Sequence, residues 1–202
     1  MPKRSALALF LLAAFHSASA QQASAPAEPS AAQRMSQPGP EQKQLARQLG
    51  TWDVVATLWP APGADPLVTR GLIAERRMVG PILQETMKPA PGSGVADFER
   101  LDYLDFDRVE GRWKYVSMDT RFPVSIMPAR SFGAASEGTI LVQFEPQAFV
   151  GFGKDVEGRF MVSDMAIRQP DEDHVVKEQR VIMADGTGRR WRFVRYEYTR
   201  RR

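Results

Sequence analysis

From residue 51 to residue 200 the chain is a succession of short strand-like runs separated by turn residues, and no long helical period interrupts them. The runs are TWDVVATLW (51–59), LVTRGLIAERRMV (67–79), ILQETMK (82–88), FERLDYLDF (98–106), RWKYVSMD (112–119), TILVQFE (139–145), RFMVSDMAI (159–167), HVVKEQRVIM (174–183) and RRWRFVRYEYTR (189–200). Between them stand turn signals such as PAPGADP, Gly80-Pro81, DRVEG, RQPDED and ADGTG. The longest irregular stretch is TRFPVSIMPARSFGAAS (120–136), and PQAFVGFGKDVEG (146–158) reads as a loop. Parallel strands need crossover helices, and none is encoded, so the sheet is expected to be antiparallel. Several runs alternate: Trp52, Val54, Ala56 and Leu58 share one side of the first, and Trp113, Tyr115 and Ser117 one side of another. A meander this long must dispose of its edges, and closure does so. The pattern predicts an all-β, antiparallel up-and-down barrel of about 8–10 strands. A two-sheet sandwich is the alternative.

One short helix is expected before the strands. In PEQKQLARQL (40–49), Leu45 and Leu49 are four apart and share a face, and Gly50 supplies a stop. This segment would cap one end of the barrel. Trp52, placed where the first strand enters, would plug it.

The segment ahead of the helix has a different character. Lys3 and Arg4, an apolar run from Ala6 to Phe15 and the small residues Ala18-Ser19-Ala20 form a secretory signal pattern, with cleavage expected after Ala20 (residues 1–20). Residues 21–40, rich in Ala, Pro, Ser and Gln, read as a disordered linker, and 41–202 as one barrel domain. The expected location is periplasmic or secreted, with no transmembrane segment after cleavage. Loss of Lys3 and Arg4 takes 27 basic residues to 25 against 24 acidic ones, a formal +1. A near-neutral chain without a basic reading motif does not call for nucleic acid. The absence of cysteine removes disulfides, thiol chemistry and thiolate metal sites.

The stretch LGTWDV after a short helix resembles the Gly-x-Trp opening of calycin, or lipocalin-like, barrels. That resemblance implies a basic side chain from the last strand packed across the tryptophan. YEYTR makes Arg200 the first candidate partner of Trp52 and Arg195 the second. Over about residues 42 to 200 the chain resembles the bacterial domain-of-unknown-function family 1579 (DUF1579). The likeness rests on LARQLGTWDV, Gly71 with Glu75, DYLDFD, GRFMVSD, DEDHVV and DGTGRRWRFVRYEYTR. It departs from the family pattern where Val79-Gly80 replaces a double glycine and where Asp119 stands without its tryptophan. The resemblance implies a calycin-like barrel and no established activity.

Motifs for chemistry are sparse. His174 is the single histidine left after signal cleavage, next to Asp171-Glu172-Asp173. One imidazole in a carboxylate-rich turn is a poor metal or haem site, so no metal and no cofactor is expected. No Gly-x-Ser-x-Gly elbow presents a serine, so no catalytic residue is assigned. Strand carboxylates Glu75, Glu85, Asp119, Asp164 and Glu178 leave open a hydrolase or isomerase. In strict alternation Arg190, Arg192 and Arg200 face one way and Arg189, Arg195 and Arg201 the other. A structural, envelope-associated role using this arginine-rich end is a further alternative. The first reading is a small, partly apolar ligand held in the barrel, against Trp59, Glu75, Trp113, Tyr115, Arg168, Gln179, Trp191 and Tyr196.

Overall fold

A computed structural model describes residues 28–122, 126–132, 138–148 and 158–202. The expected signal segment, 1–20, and residues 21–27 of the expected linker lie outside the described residues. The strands are β1 (Gly50–Leu58), β2 (Leu67–Val79), β3 (Ile82–Pro89), β4 (Arg100–Asp107), β5 (Arg112–Asp119), β6 (Met127–Arg130), β7 (Thr139–Phe144), β8 (Gln147–Ala148), β9 (Phe160–Arg168), β10 (His174–Met183) and β11 (Arg190–Arg200). All described pairings are antiparallel, and neighbours in space are mostly neighbours in sequence. The last strand pairs with the first from Trp52↔Arg200 to Leu58↔Val194, and β9 bridges β7 and β10. Ten strands therefore close into a barrel, and the sheet has no need of the edge protection an open meander requires. Two-residue β8 lies against the start of β9.

All nine strand-like runs form strands. Two were not expected. Met127–Arg130 falls in the long irregular stretch and Gln147–Ala148 in the loop after Phe144. Pro128 sits within β6, where it has no N–H to give, and its carbonyl accepts the amide of Glu145 at 3.2 Å. The β6–β7 seam is held by two residue pairs, Ala129↔Phe144 and Arg130↔Gln143, the thinnest joint in the ring.

Two bulges set which side chains enter the barrel. Between Val54↔Leu72 and Ala56↔Thr69, Val55 faces both Arg70 and Gly71. Gly71 adopts φ +75°, and a Cβ there would lie 2.8 Å from the Cβ of Ser93, so glycine answers both demands. Between Gln179↔Val194 and Arg180↔Arg192, Phe193 is the extra residue. Inward residues of β11 are Trp191 and Phe193 before this bulge and Val194, Tyr196 and Tyr198 after it. This shift corrects the strict alternation expected for the arginines. Arg190, Arg192 and Arg195 all face outward, and Arg200 follows the inward set.

Two short helices precede β1: α1 (Ala31–Ser36) and α2 (Pro40–Ala46). Helix α1 falls in the run expected to be a disordered linker. It buries no residue and carries a Ser30–Gln33 capping box. Arg108 holds the chain after it, donating from Nη1 to the carbonyl of Gln37 at 2.6 Å. Helix α2 starts with Pro40 and sets Gln42 and Leu45 against the barrel. Gln42 accepts from the Gly39 amide at 2.8 Å and donates to the Phe106 carbonyl at 3.2 Å, pinning the helix to the end of β4.

A charged network inside the barrel

The plug end is built around Trp52, which is fully buried and donates its indole N–H to the Gln48 carbonyl at 3.0 Å. The Arg200 guanidinium lies over the ring with its carbon 4.2 Å from the centroid. Arg200 donates to three backbone carbonyls, from Nη2 to Arg47 at 2.7 Å, from Nε to Glu172 at 2.9 Å and from Nη1 to Leu49. Arg200 thus satisfies carbonyls just beyond α2 while covering the indole. Arg195, the second candidate, pairs outward with Glu197 at 2.9 Å and approaches Glu178.

Below the plug the interior is ionic. Arg76 on β2 donates from Nε to Glu85 Oε2 on β3 at 2.6 Å and from Nη1 to Gln48 at 3.0 Å. The other Glu85 oxygen accepts from Lys177 Nζ on β10 and from the Tyr198 hydroxyl on β11, both at 2.9 Å. Lys177 also reaches Asp102 Oδ2 on β4 at 2.9 Å. Asp102 Oδ1 accepts from Arg100 Nε at 3.0 Å and from the Ser117 hydroxyl at 2.7 Å. Arg100 then donates to the hydroxyls of Tyr196 at 2.6 Å and Tyr115 at 3.3 Å. The five charged side chains are at most 6% exposed.

This network crosses the barrel from β2 to β10. Burial pushes the Glu85 carboxyl up, but Arg76 and Lys177 outweigh it and hold the group below its usual range. Asp102 behaves the same way under Arg100 and Lys177 and sits well below the carboxylate range. Both are therefore ionised acceptors with no proton to give at neutral pH. Burial, with Asp102 and Glu85 nearby, raises the Tyr115 and Tyr198 hydroxyls well above the usual tyrosine value.

Toward the other end the lining changes. Phe144, Met161, Met183, Trp191 and Phe193 are buried there on neighbouring strands. The Gln179 amide donates to the Ser163 hydroxyl at 3.0 Å among them. Trp191 donates its indole N–H to the Trp59 carbonyl at 3.0 Å. Phe98 and Arg121 stand at the same end, the guanidinium carbon 3.8 Å from the ring centroid, and Arg121 grips Asp119 at 2.9 and 2.6 Å.

The sequence-derived lining residues divide accordingly. Trp113, Tyr115, Gln179, Trp191 and Tyr196 are buried inward, and Trp59 is half-buried with Arg192 over its ring at 5.2 Å. Glu75 and Arg168 are not in the interior. Each is the outward neighbour of an inward residue, Ala74 and Ile167 respectively, and both are exposed. Glu75 pairs with Lys88 at 3.8 Å on the outer wall. Of the five strand carboxylates read from the sequence as candidates, Glu85 alone joins the network, beside Asp102, which was not among them. Asp119 is held by Arg121, and Glu178 lies beneath Arg180 and Arg192 at 2.8 and 3.2 Å on the outer wall. Asp164 is half-buried near Arg180 and Arg190, and burial raises its carboxyl. Arg76, Arg100, Asp102 and Lys177 are not among the residues the sequence points to, whereas Ser117 shares a face with Trp113 and Tyr115 in the sequence pattern and Tyr198 is one of the strand aromatics. A signal existed for Lys177, which shares strand parity with Val175 and Gln179.

His174 is half-exposed and bonds Asp171 through Nδ1 at 2.8 Å. Among the described residues no group of three or more metal-ligating side chains is assembled. Two surface hollows, of about 420 and 510 Å³, lie on the outer wall along β1–β2–β11 and at the plug end between α2 and the β9–β10 turn.

The sequence model of a family described as protein of unknown function (DUF1579) matches residues 37–200, which is the barrel with its capping helix. The chain belongs to this DUF1579 family. No match was found among curated proteins. Among solved structures, the chain is similar to the crystal structure of Rv2717c from M. tuberculosis, with a TM-score of 0.55 and 16% identity over 82% of this chain and 100% of that one. At that identity the likeness concerns the fold. No helix among the described residues of this DUF1579 member is long and apolar enough to cross a membrane.

Proposed function

We propose that this protein is exported and binds a small, partly apolar molecule inside the barrel, at the end opposite Trp52. The division of the interior carries the reading. The plug half holds Trp52, Tyr198, Met87 and the ionic network, and the two halves are buried to a similar depth. The other half offers aromatic and methionine side chains with one amide–hydroxyl pair, Gln179–Ser163, among them. An apolar lining with a few fixed polar groups is the usual form of a small-molecule site. The thin β6–β7 seam gives that half a place to yield as a ligand enters.

The interior carboxylates support binding over catalysis. Glu85 and Asp102 are each bonded at both oxygens to cations or hydroxyls. A general acid needs a proton near working pH, which these groups lack, and a general base or nucleophile needs a free oxygen, whereas all four here already accept hydrogen bonds.

The apolar fluorophore N-phenyl-1-naphthylamine tests the site. Saturable binding of one dye per chain is expected, with energy transfer from tryptophan and at least about tenfold weakening in Phe193→Asp. An absence of saturable binding in the folded protein overturns the reading. Export is tested separately by mass spectrometry of the mature protein, with the N-terminus expected at Gln21. An intact Met1 terminus in the cytoplasm overturns that part.

A further inference from the structure

Among the described residues, the interior network is short of negative charge. Arg76, Arg100 and Lys177 contribute three cations and Glu85 and Asp102 two anions, all essentially removed from solvent. Including the neighbouring Arg121–Asp119 pair leaves the same excess of one. Arg76 Nη2 is buried with no hydrogen-bond acceptor among the described residues. An uncompensated charge in a low-dielectric interior is costly to hold. Unused donors also remain on Arg100 and Tyr196. Arg100 has five N–H donors, of which three go to Asp102, Tyr196 and Tyr115. The Tyr196 oxygen accepts from Arg100, which leaves its own hydrogen to donate, whereas the Tyr198 hydroxyl already donates to Glu85. Tyr196 is 5% exposed. Arg100 pairs in register with Asp119, the last residue of β5, so it stands at the border between the network and the end bearing Phe98 and Arg121.

From this juxtaposition we infer that the molecule bound in the barrel is an amphiphile with a single oxyanion group, carboxylate, sulfonate or phosphate-like, received by Arg100 and Tyr196 while its apolar body lies against Trp191 and Phe193. The inference rests on the proposed binding reading and specifies the ligand class for that site. An arriving anion supplies the charge the network lacks and the acceptor that the free N–H and O–H groups lack. A neutral ligand of the same shape supplies neither. The charged end should therefore set selectivity, and the aromatic lining the tolerance for different bodies.

The experiment compares two dyes that share an anilino-naphthalene body: 1-anilinonaphthalene-8-sulfonate, which carries the anion, and N-phenyl-1-naphthylamine, which does not. The full-length mature protein is expected to bind the sulfonate at least about tenfold more tightly, the scale of one hydrogen bond to a charged group. Tyr196→Phe, which keeps the ring and removes the donor, should cut that preference several-fold with little effect on the neutral dye. Arg100→Gln should abolish it, and Arg100→Lys should restore part of it. Arg201→Gln, which removes an outer-wall cation paired with Asp53, should leave the preference unchanged. Equal binding of both dyes overturns the anion assignment and leaves the pocket standing. A preference that Arg201→Gln removes and Tyr196→Phe does not also overturns it, because the sulfonate would then be held outside. Binding of neither dye overturns the assignment together with the binding reading beneath it.

Discussion

Trp52 and Lys177 each join parts of the chain that are far apart in sequence, and each supports a prediction. Trp52 lies between the guanidinium of Arg200 on one strand and that of Arg76, 5.2 Å from its centroid, on another. Replacing it with alanine removes a fully buried indole and is expected to cost about 3–5 kcal/mol. Arg200→Ala should cost less, because its side chain remains partly exposed. The double mutant should show a coupling of at least about 0.5 kcal/mol in urea denaturation. Strict additivity would show that the stacked geometry contributes nothing. Among the described residues, Lys177 is the sole cation shared by Glu85 and Asp102. Lys177→Met removes the donor to Glu85 and Asp102 while Arg76 and Arg100 keep each carboxylate paired, and is expected to cost about 1–3 kcal/mol. A loss under 1 kcal/mol in the same assay would mean that the carboxylates rearrange around Arg76 and Arg100.

At the scale of the element, bulges and seams control what the strands do. Gly71→Ala meets both an unfavourable φ and the Ser93 side chain, and is expected to cost about 1–3 kcal/mol in thermal or urea unfolding. Adding Ser93→Gly should recover the steric part and leave the backbone part. Full recovery would show that φ strain is unimportant there. In native-state hydrogen exchange, the amides shared by β6 and β7 should exchange well before those of β1 and β11, whose pairing runs over seven residue pairs. The elements also show how much was legible. The nine long runs were readable because turn chemistry and alternation agree along them. β6 was hidden by Pro128, and β8 is too short to show a period. The aromatic lining was largely readable, since Trp113, Tyr115, Trp191 and Tyr196 alternate with polar residues. The charged network was not. Arg76 and Arg77 are adjacent and chemically alike, so only the register after the Gly71 bulge decides that Arg76 turns inward. Arg192 and Arg195 share the outer wall because Phe193 shifts the parity between them. A bulge is written in one residue and rearranges every side chain beyond it.

Over the whole molecule, the network ties stability to pH at both ends of the scale. Glu85 and Asp102 have folded-state values below those of free carboxylates, about 4 in an unfolded chain. Their contribution is therefore fully present above about pH 4 and is lost as pH falls toward the folded values, because the unfolded chain takes up protons first. Tyr115 and Tyr198 have folded-state values well above the ordinary value of about 10. Their contribution is present below about pH 10 and is lost as pH rises, because the unfolded chain releases protons first. Urea midpoints should accordingly form a plateau between about pH 5 and pH 9 and fall on both sides. Lys177→Met removes a cation that holds both carboxylates ionised, so its acid limb should move to higher pH. Absorbance at 295 nm gives an independent check on the alkaline limb. Of the four tyrosines, Tyr115 and Tyr198 should ionise only as the barrel unfolds, in step with the loss of near-ultraviolet circular dichroism. Ionisation of all four near pH 10 in a still-folded protein would mean that water and hydroxide reach the base of the barrel. The buried network would then be a solvated one, with no charge deficit for a ligand to fill.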